Sequence, residues 1–182
     1  KQREPCHGSV DPRLLESLPQ RNGILNMAHD IHQLIARAQA DYARCIDDGD
    51  LAQWPDFFTQ ACVYKITTAD NYKRGLPGSM IYAASRGMLV DRVASLRDAN
   101  IYERHGYRHL LGHPYIVDES ANEARSETSF MVARIMRDGS TSLFATGRYC
   151  DVYVVEEGAV KLRERIVVCD SSRIDTLLAL PL

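Results

Sequence analysis

The feature that most constrains this chain is its last third, from about Gly106 to Asp170, which reads as a meander of long strands. Asp138 and Gly139 separate two apolar runs, Thr128 to Met136 and Thr141 to Tyr149. Asp-Gly tolerates the positive φ values of a type I′ turn, so the pair predicts a hairpin. The second run continues through Val152 and Val155 to a further turn at Glu156, Glu157 and Gly158, and the chain returns from Val160 to Cys169. In that return strand Val160, Leu162, Ile166 and Val168 share one face by strict alternation, with Lys161, Arg163 and Arg165 on the other. Period-2 alternation marks a half-buried antiparallel sheet. Such a sheet requires a cover for its apolar side.

The upstream sequence supplies one. Ile31, Leu34, Ile35, Ala38, Tyr42, Cys45 and Ile46 recur at helical spacing from Asp30 onward, and Gly49 is placed to end that helix as a left-handed cap. Asp50 followed by Gln53 resembles a capping box for a second short helix with Leu51, Trp54, Phe57 and Phe58 on its apolar face. Ala61 to Thr67 reads as a strand, Asp70 to Pro77 as a polar loop, and Ile81 to Ala83 as a short strand. A third helix runs from Ser85 through Met88, Leu89, Val93 and Leu96 to near Asn100, and Tyr107 to Val117 opens the meander. Helices first and strands afterwards predict an α+β domain with the helices packed into the concave face of a curved antiparallel sheet. Residues 1–26 carry several prolines and glycines without sustained periodicity and are expected to be an extension, leaving residues 27–182 as a single domain.

Bulk properties exclude several classes. A net charge of −2 with both signs dispersed along 182 residues leaves no electrostatic footprint for nucleic acid. No apolar run approaches the roughly 20 residues of a membrane-spanning helix. Five cysteines, an odd number without C-x-x-C spacing, argue for reduced thiols, so a cytoplasmic location is expected.

Candidate chemistry is sparse. His105, His109 and His113 are spaced for one helical face, but Gly106, Gly112 and Pro114 interrupt any helix there, so hydrogen-bonded surface or interface histidines are expected in place of a metal site. Asp41, Tyr42 and Asp47, taken with His109, could line a cup and act as acid and base on a small carbonyl substrate. The helical period equally accounts for Asp41 and Asp47 as a solvated face and Tyr42 as core. Ser171 and Ser172 have no nucleophile elbow around them, and Cys150 and Cys169 lie within strand patterns as expected of buried thiols. No catalytic, cofactor-binding or metal-binding residue is assigned.

The order of elements, with Asp50 to Phe58, Met88 to Arg92, Asn100 to His105, Tyr107 to Leu111, Val168 to Ser171 and Asp175 to Leu182, resembles the small (beta) subunits of Rieske-type aromatic-ring-hydroxylating oxygenases. Within that family it is most similar to those of terephthalate dioxygenase and salicylate hydroxylase. The resemblance covers Ile31 to Leu182. It implies an NTF2-like fold and a non-catalytic structural role: a trimer of small subunits that supports three catalytic large (alpha) subunits in an α3β3 complex. It also implies that the large subunit carries the Rieske 2Fe-2S cluster and mononuclear iron, with electrons arriving through a ferredoxin or reductase. The residues agree on what this chain lacks. A Rieske centre takes two cysteines and two histidines, and Cys6 and His7 form no C-x-H pair and meet no downstream C-x-x-H. A ferrous oxygen-activating site takes two histidines and a carboxylate, which the interrupted His105 to His113 stretch does not supply. Tyr149, Tyr153, Arg163 and Arg165 are expected to contribute to subunit contacts, or else to form an ordinary solvated sheet face. The alternative is a stand-alone NTF2-like isomerase, dehydratase or ligand-binding module.

Overall fold

The computed structural model describes residues 22–98, 104–156, 158–172 and 178–182. Helix α1, Asn22–Asp47, begins ahead of the expected Asp30 start and lies in the hollow of a seven-stranded sheet. Its buried stripe is Ile31, Ile35, Gln39, Tyr42, Ala43 and Ile46. Gly49, at φ +80°, ends it as expected. The Asp50 N–H bonds to the Cys45 carbonyl and the Gly49 N–H to that of Ile46, the paired closure of a Schellman motif. The expected second helix is one 3-10 turn, Trp54–Phe57. Gln53 sits at its cap without a side-chain bond, so the Asp50 and Gln53 capping box does not form.

The strands are β1 (Phe58–Thr68), β2 (Ile81–Ala83), β3 (His105–Leu111), β4 (Tyr115–Glu119), β5 (Glu123–Met136), β6 (Thr141–Glu156) and β7 (Ala159–Cys169), in the order β2-β1-β7-β6-β5-β3 with β4 also on β5. Helix α2 (Ala69–Lys73) occupies the expected polar loop, capped by the Thr68 hydroxyl on the Asn71 N–H at 3.2 Å. Helix α3 is Arg86–Asp98. The segments 1–21, 99–103 and 173–177, which include most of the expected extension, lie outside the described residues.

Both predicted hairpins form. At the first, the Gly139 N–H bonds to the Met136 carbonyl and the Met136 N–H to Ser140, with Gly139 at φ +85°. This is a three-residue loop with a glycine bulge, in place of the two-residue type I′ turn. Gly158, at φ +78°, serves the second. Along β5 the alternation is clean, with Ala124, Ser126, Thr128, Phe130 and Val132 buried. The sheet is mixed, because β1 pairs with β7 in parallel while the other pairings are antiparallel.

A bulge changes the reading of β7. Tyr153 pairs with Leu162 but Val152 pairs with Glu164, which leaves Arg163 as an extra residue. An extra residue reverses the facing of everything beyond it. Leu162 therefore faces the cup before the bulge, whereas Arg165, Val167 and Cys169 face it afterwards and Ile166 and Val168 take the other side. The expected face shared by Lys161, Arg163 and Arg165 does not exist.

Gly147 in β6 lies opposite Cys169, and a Cβ there would stand 2.1 Å from the Val168 carbonyl oxygen. The obstacle is backbone, so relief requires the two strands to part. Gly147→Ala should destabilise the chain by about 2–3 kcal/mol, in the range of overpacking costs. A denaturant melt with unchanged midpoint would refute that packing.

Candidate functional site

The hollow of the sheet, where a small-molecule pocket would lie, is filled by the chain's own side chains. Arg165 is wholly buried and stands between two rings, its guanidinium carbon 4.1 Å from the centroid of Tyr42 and 4.2 Å from that of Tyr149. Asp151 receives it in a two-point ion pair, Nε to Oδ1 at 2.9 Å and Nη2 to Oδ2 at 2.7 Å. Tyr153 accepts from Arg165 Nη2 and donates to Asp151 Oδ2, each at 3.2 Å. From α1, Gln39 Nε2 donates to Thr128 Oγ1 at 2.8 Å and reaches Asp151 Oδ2 at 3.4 Å. One network thus ties α1 to β5, β6 and β7. The pair is forked and flanked by rings, which favours its burial, while Arg165 Nη1 has no hydrogen-bond partner among the described residues.

The physical consequence is a fixed protonation state. Burial alone would push the Arg165 guanidinium down, but Asp151 and the neighbouring phenols hold it above arginine's ordinary value. Burial pushes the phenols of Tyr42, Tyr64, Tyr149 and Tyr153 up. These are poor acids and bases near neutrality.

Beside this network the segment 178–182 is tucked into the core. Tyr42 and Tyr64 hydroxyls donate to the Leu182 carbonyl oxygen at 3.0 and 3.1 Å, and the Leu182 N–H donates to Tyr64 at 3.1 Å. Arg92 of α3 holds the carbonyls of Leu178 and Ala179 at 2.9 and 3.0 Å. The Leu182 side chain is fully buried.

The acid/base pair considered from sequence is assembled, but closed. Asp47 Oδ1 lies 2.6 Å from His109 Nδ1, and the His109 backbone N–H donates to the same carboxylate at 3.0 Å. The contact at Nδ1 fits a ring that donates there, leaving Nε2 to face the interior, where it has no partner among the described residues. Both side chains are nearly without solvent contact, at 4% and 0%. Asp41 instead pairs with Arg37 on the exposed side of α1, and Tyr42 points into the core. His113 is exposed.

The Asp47 contact has a structural role. β3 has no second neighbour strand among the described residues, and the His109 N–H points to that open side. The carboxylate at the end of α1 covers it. Asp47→Ala should leave a buried N–H and a ring nitrogen unpaired and cost about 1–3 kcal/mol. Urea unfolding would read this, and a midpoint equal to the parent's would contradict the role.

Of the four residues expected at subunit contacts, Tyr149, Tyr153 and Arg165 lie inside the chain's own core, and only Arg163 reaches solvent, pairing with Glu123 at 2.7 Å. Strict alternation concealed Arg165. Asp151, its partner, carried a signal in hindsight: a lone carboxylate set within the apolar run from Tyr149 to Val155. Burial raises the Cys150 thiol, and raises that of Cys169 to about 11, so neither is an activated nucleophile.

Residues 28–166 match the SnoaL-like domain family. The terephthalate 1,2-dioxygenase terminal oxygenase component subunit beta 1 of Comamonas sp. is 49% identical over 148 residues, covering 81% of this chain and 96% of that protein. The chain belongs to the small subunits of aromatic-ring-hydroxylating dioxygenases. The anthranilate 1,2-dioxygenase small subunit of Burkholderia cepacia is 35% identical over 144 residues, covering 79% of this chain and 89% of that one. Among solved structures, the beta subunit assigned to an aromatic-ring-hydroxylating dioxygenase of Novosphingobium aromaticivorans superposes with a TM-score of 0.79 at 36% identity, over 86% of this chain and 99% of the other. In this small subunit no three His, Cys, Asp or Glu side chains converge among the described residues. Cys45, Cys62, Cys150 and Cys169 are dispersed over α1, β1, β6 and β7 as free thiols, which does not fit an iron-sulfur cluster. No described helix is long and apolar enough to cross a membrane.

Proposed function

We propose that this chain is the non-catalytic small subunit of a cytoplasmic Rieske-type oxygenase acting on single-ring aromatic carboxylates, and that it scaffolds the catalytic large subunits. Residues 27–182 act as one domain in this reading, and three copies form the base of an α3β3 complex. The observation that carries the reading is the filled hollow: Arg165, Tyr42 and Tyr149 with Leu182 beneath them occupy the volume where a substrate would bind. The large subunit then holds the Rieske cluster and the mononuclear iron, and a ferredoxin or reductase supplies it with electrons. The relatives named for terephthalate and anthranilate dioxygenases support an aromatic carboxylate as the substrate class. Arg163 is the remaining candidate for a subunit contact from the original four.

Co-expression with a Rieske large subunit tests this. The two chains should co-purify as a mixed oligomer that oxidises terephthalate when reduced, while the small subunit alone should bind no iron and turn over nothing. Turnover by this chain alone, abolished by His109→Ala, would overturn the reading in favour of a cup-shaped isomerase or dehydratase.

A further inference from the structure

A depression of about 340 Å³ lies outside the filled hollow, near the β5–β6 hairpin, between Arg104 and Arg137 and floored by Gly106 and Ile135. Register explains its shape. Tyr107 and His109 face the cup, so Gly106 faces out, and it pairs with Ile135 across β3 and β5. Arg104 stands two residues before Gly106 and Arg137 two after Ile135, so alternation puts all four on the outer face. Exposed Leu110, Met131 and Leu143 continue the apolar ground behind Ile135.

Two features of this depression call for a ligand. The first is electrostatic. Continued one rung past His105 and Met136, the register sets Arg104 against Arg137, and like charges in opposed positions destabilise a sheet. No carboxylate pairs with either arginine among the described residues. The neighbouring Asp138 carboxylate accepts from the Ser140 N–H at 2.8 Å. Arg108, next on this face of β3, adds a further positive charge that leans to within 3.7 Å of Asp47. The second feature is Gly106. Its φ is not in the left-handed region, and a Cβ there would meet nothing within 4 Å, so neither backbone strain nor crowding requires glycine. Glycine inside a strand weakens it and marks places where another group approaches the backbone closely. Here the missing side chain is what leaves the floor open.

We propose that this depression binds an aromatic carboxylate, its charged end held between the Arg104 and Arg137 guanidiniums and its ring lying over Gly106 against Ile135. A guanidinium offers a carboxylate two parallel donors, and an apolar floor with a few convergent polar groups is the makeup of small-molecule sites. The inference deepens the proposed function and rests on it for the class of acid: the small subunit then holds substrate or product on its own surface.

The test is calorimetric titration of the full chain with benzoate, acetate and inorganic phosphate. Benzoate should bind one-to-one, saturating in the millimolar range expected of so small a ligand. It should bind at least tenfold more tightly than acetate, which has the charge without the ring. Arg104→Gln with Arg137→Gln should weaken benzoate at least tenfold. Gly106→Val keeps both charges and fills the floor with a residue suited to a strand, so it should weaken benzoate as much while circular dichroism and melting match the parent. Acetate or phosphate bound as tightly as benzoate would reduce the site to a plain anion patch and overturn the proposal. Benzoate binding that survives either substitution, or no binding at all, does the same. So do arginine replacements that release the large subunit without changing benzoate binding, which would give the two charges to that partner. Co-purification with the large subunit is scored separately, so loss of this site leaves the scaffold reading standing, and a chain that binds benzoate but never co-purifies sinks that reading and keeps the site.

Discussion

Replacing Asp151 with alanine should lower the stability of the chain by roughly 3–5 kcal/mol, because it strands a buried guanidinium without its counter-charge. Arg165→Met should cost a similar amount for the converse reason. For a domain of this size that corresponds to a loss of roughly 6–20 °C in melting temperature. The decisive measurement is the pair of changes together. Arg165→Met with Asp151→Val removes both charges at once, so the double variant should be no less stable than either single one, and a strong positive coupling should appear in the cycle. Additive losses would mean that the ion pair is not the unit that matters. The same variants separate core from interface: if Arg165 acted between subunits, its replacement would change the mass of the assembly and leave the melting of the isolated chain alone.

Raising the pH should unfold the chain abruptly just above the ordinary tyrosine range. Burial pushes the Tyr42, Tyr64, Tyr149 and Tyr153 phenols up in the folded state, while the unfolded chain ionises them near pH 10. The sign follows from proton counting. Above that point the folded state holds more protons than the unfolded one, so stability falls as pH rises. Their contribution is complete below about pH 10 and is lost as pH climbs through the raised folded values. Each of the four removes about 1.4 kcal/mol per pH unit within that window. Phenolate absorbance followed with circular dichroism should show these four ionising only as the structure collapses. Smooth ionisation of all the tyrosines near pH 10 with the fold intact would contradict their burial.

The meander was legible because its cues are local. Asp138, Gly139 and Gly158 mark the turns, and the alternation of β5 runs unbroken through Val132. Gly49 likewise announces the end of α1, since a left-handed residue needs no distant partner. What could not be read depends on register between strands. The bulge at Arg163 exists because Val152 and Tyr153 pair with residues on either side of it, and nothing in the neighbouring side chains declares that skip. One unpaired residue was enough to move Arg165 from an expected surface to the core. The parallel joining of β1 to β7 is equally silent, because it pairs segments about a hundred residues apart. Residue type alone offers Asp47 and His109 as an acid and base pair, and only the packing of the end of α1 against β3 shows that the pair is closed.

The carboxylate of Asp47 over the His109 N–H also limits how copies of this protein can meet. A bare outer strand would template pairing with any extended segment and let the sheet grow laterally from molecule to molecule. With that donor already satisfied from within, continuation of the hydrogen-bond ladder across β3 is blocked at its middle. Any oligomer built here must recognise side chains rather than backbone, which confines it to partners of matching shape and charge and protects the chain from open-ended fibre growth while it awaits them.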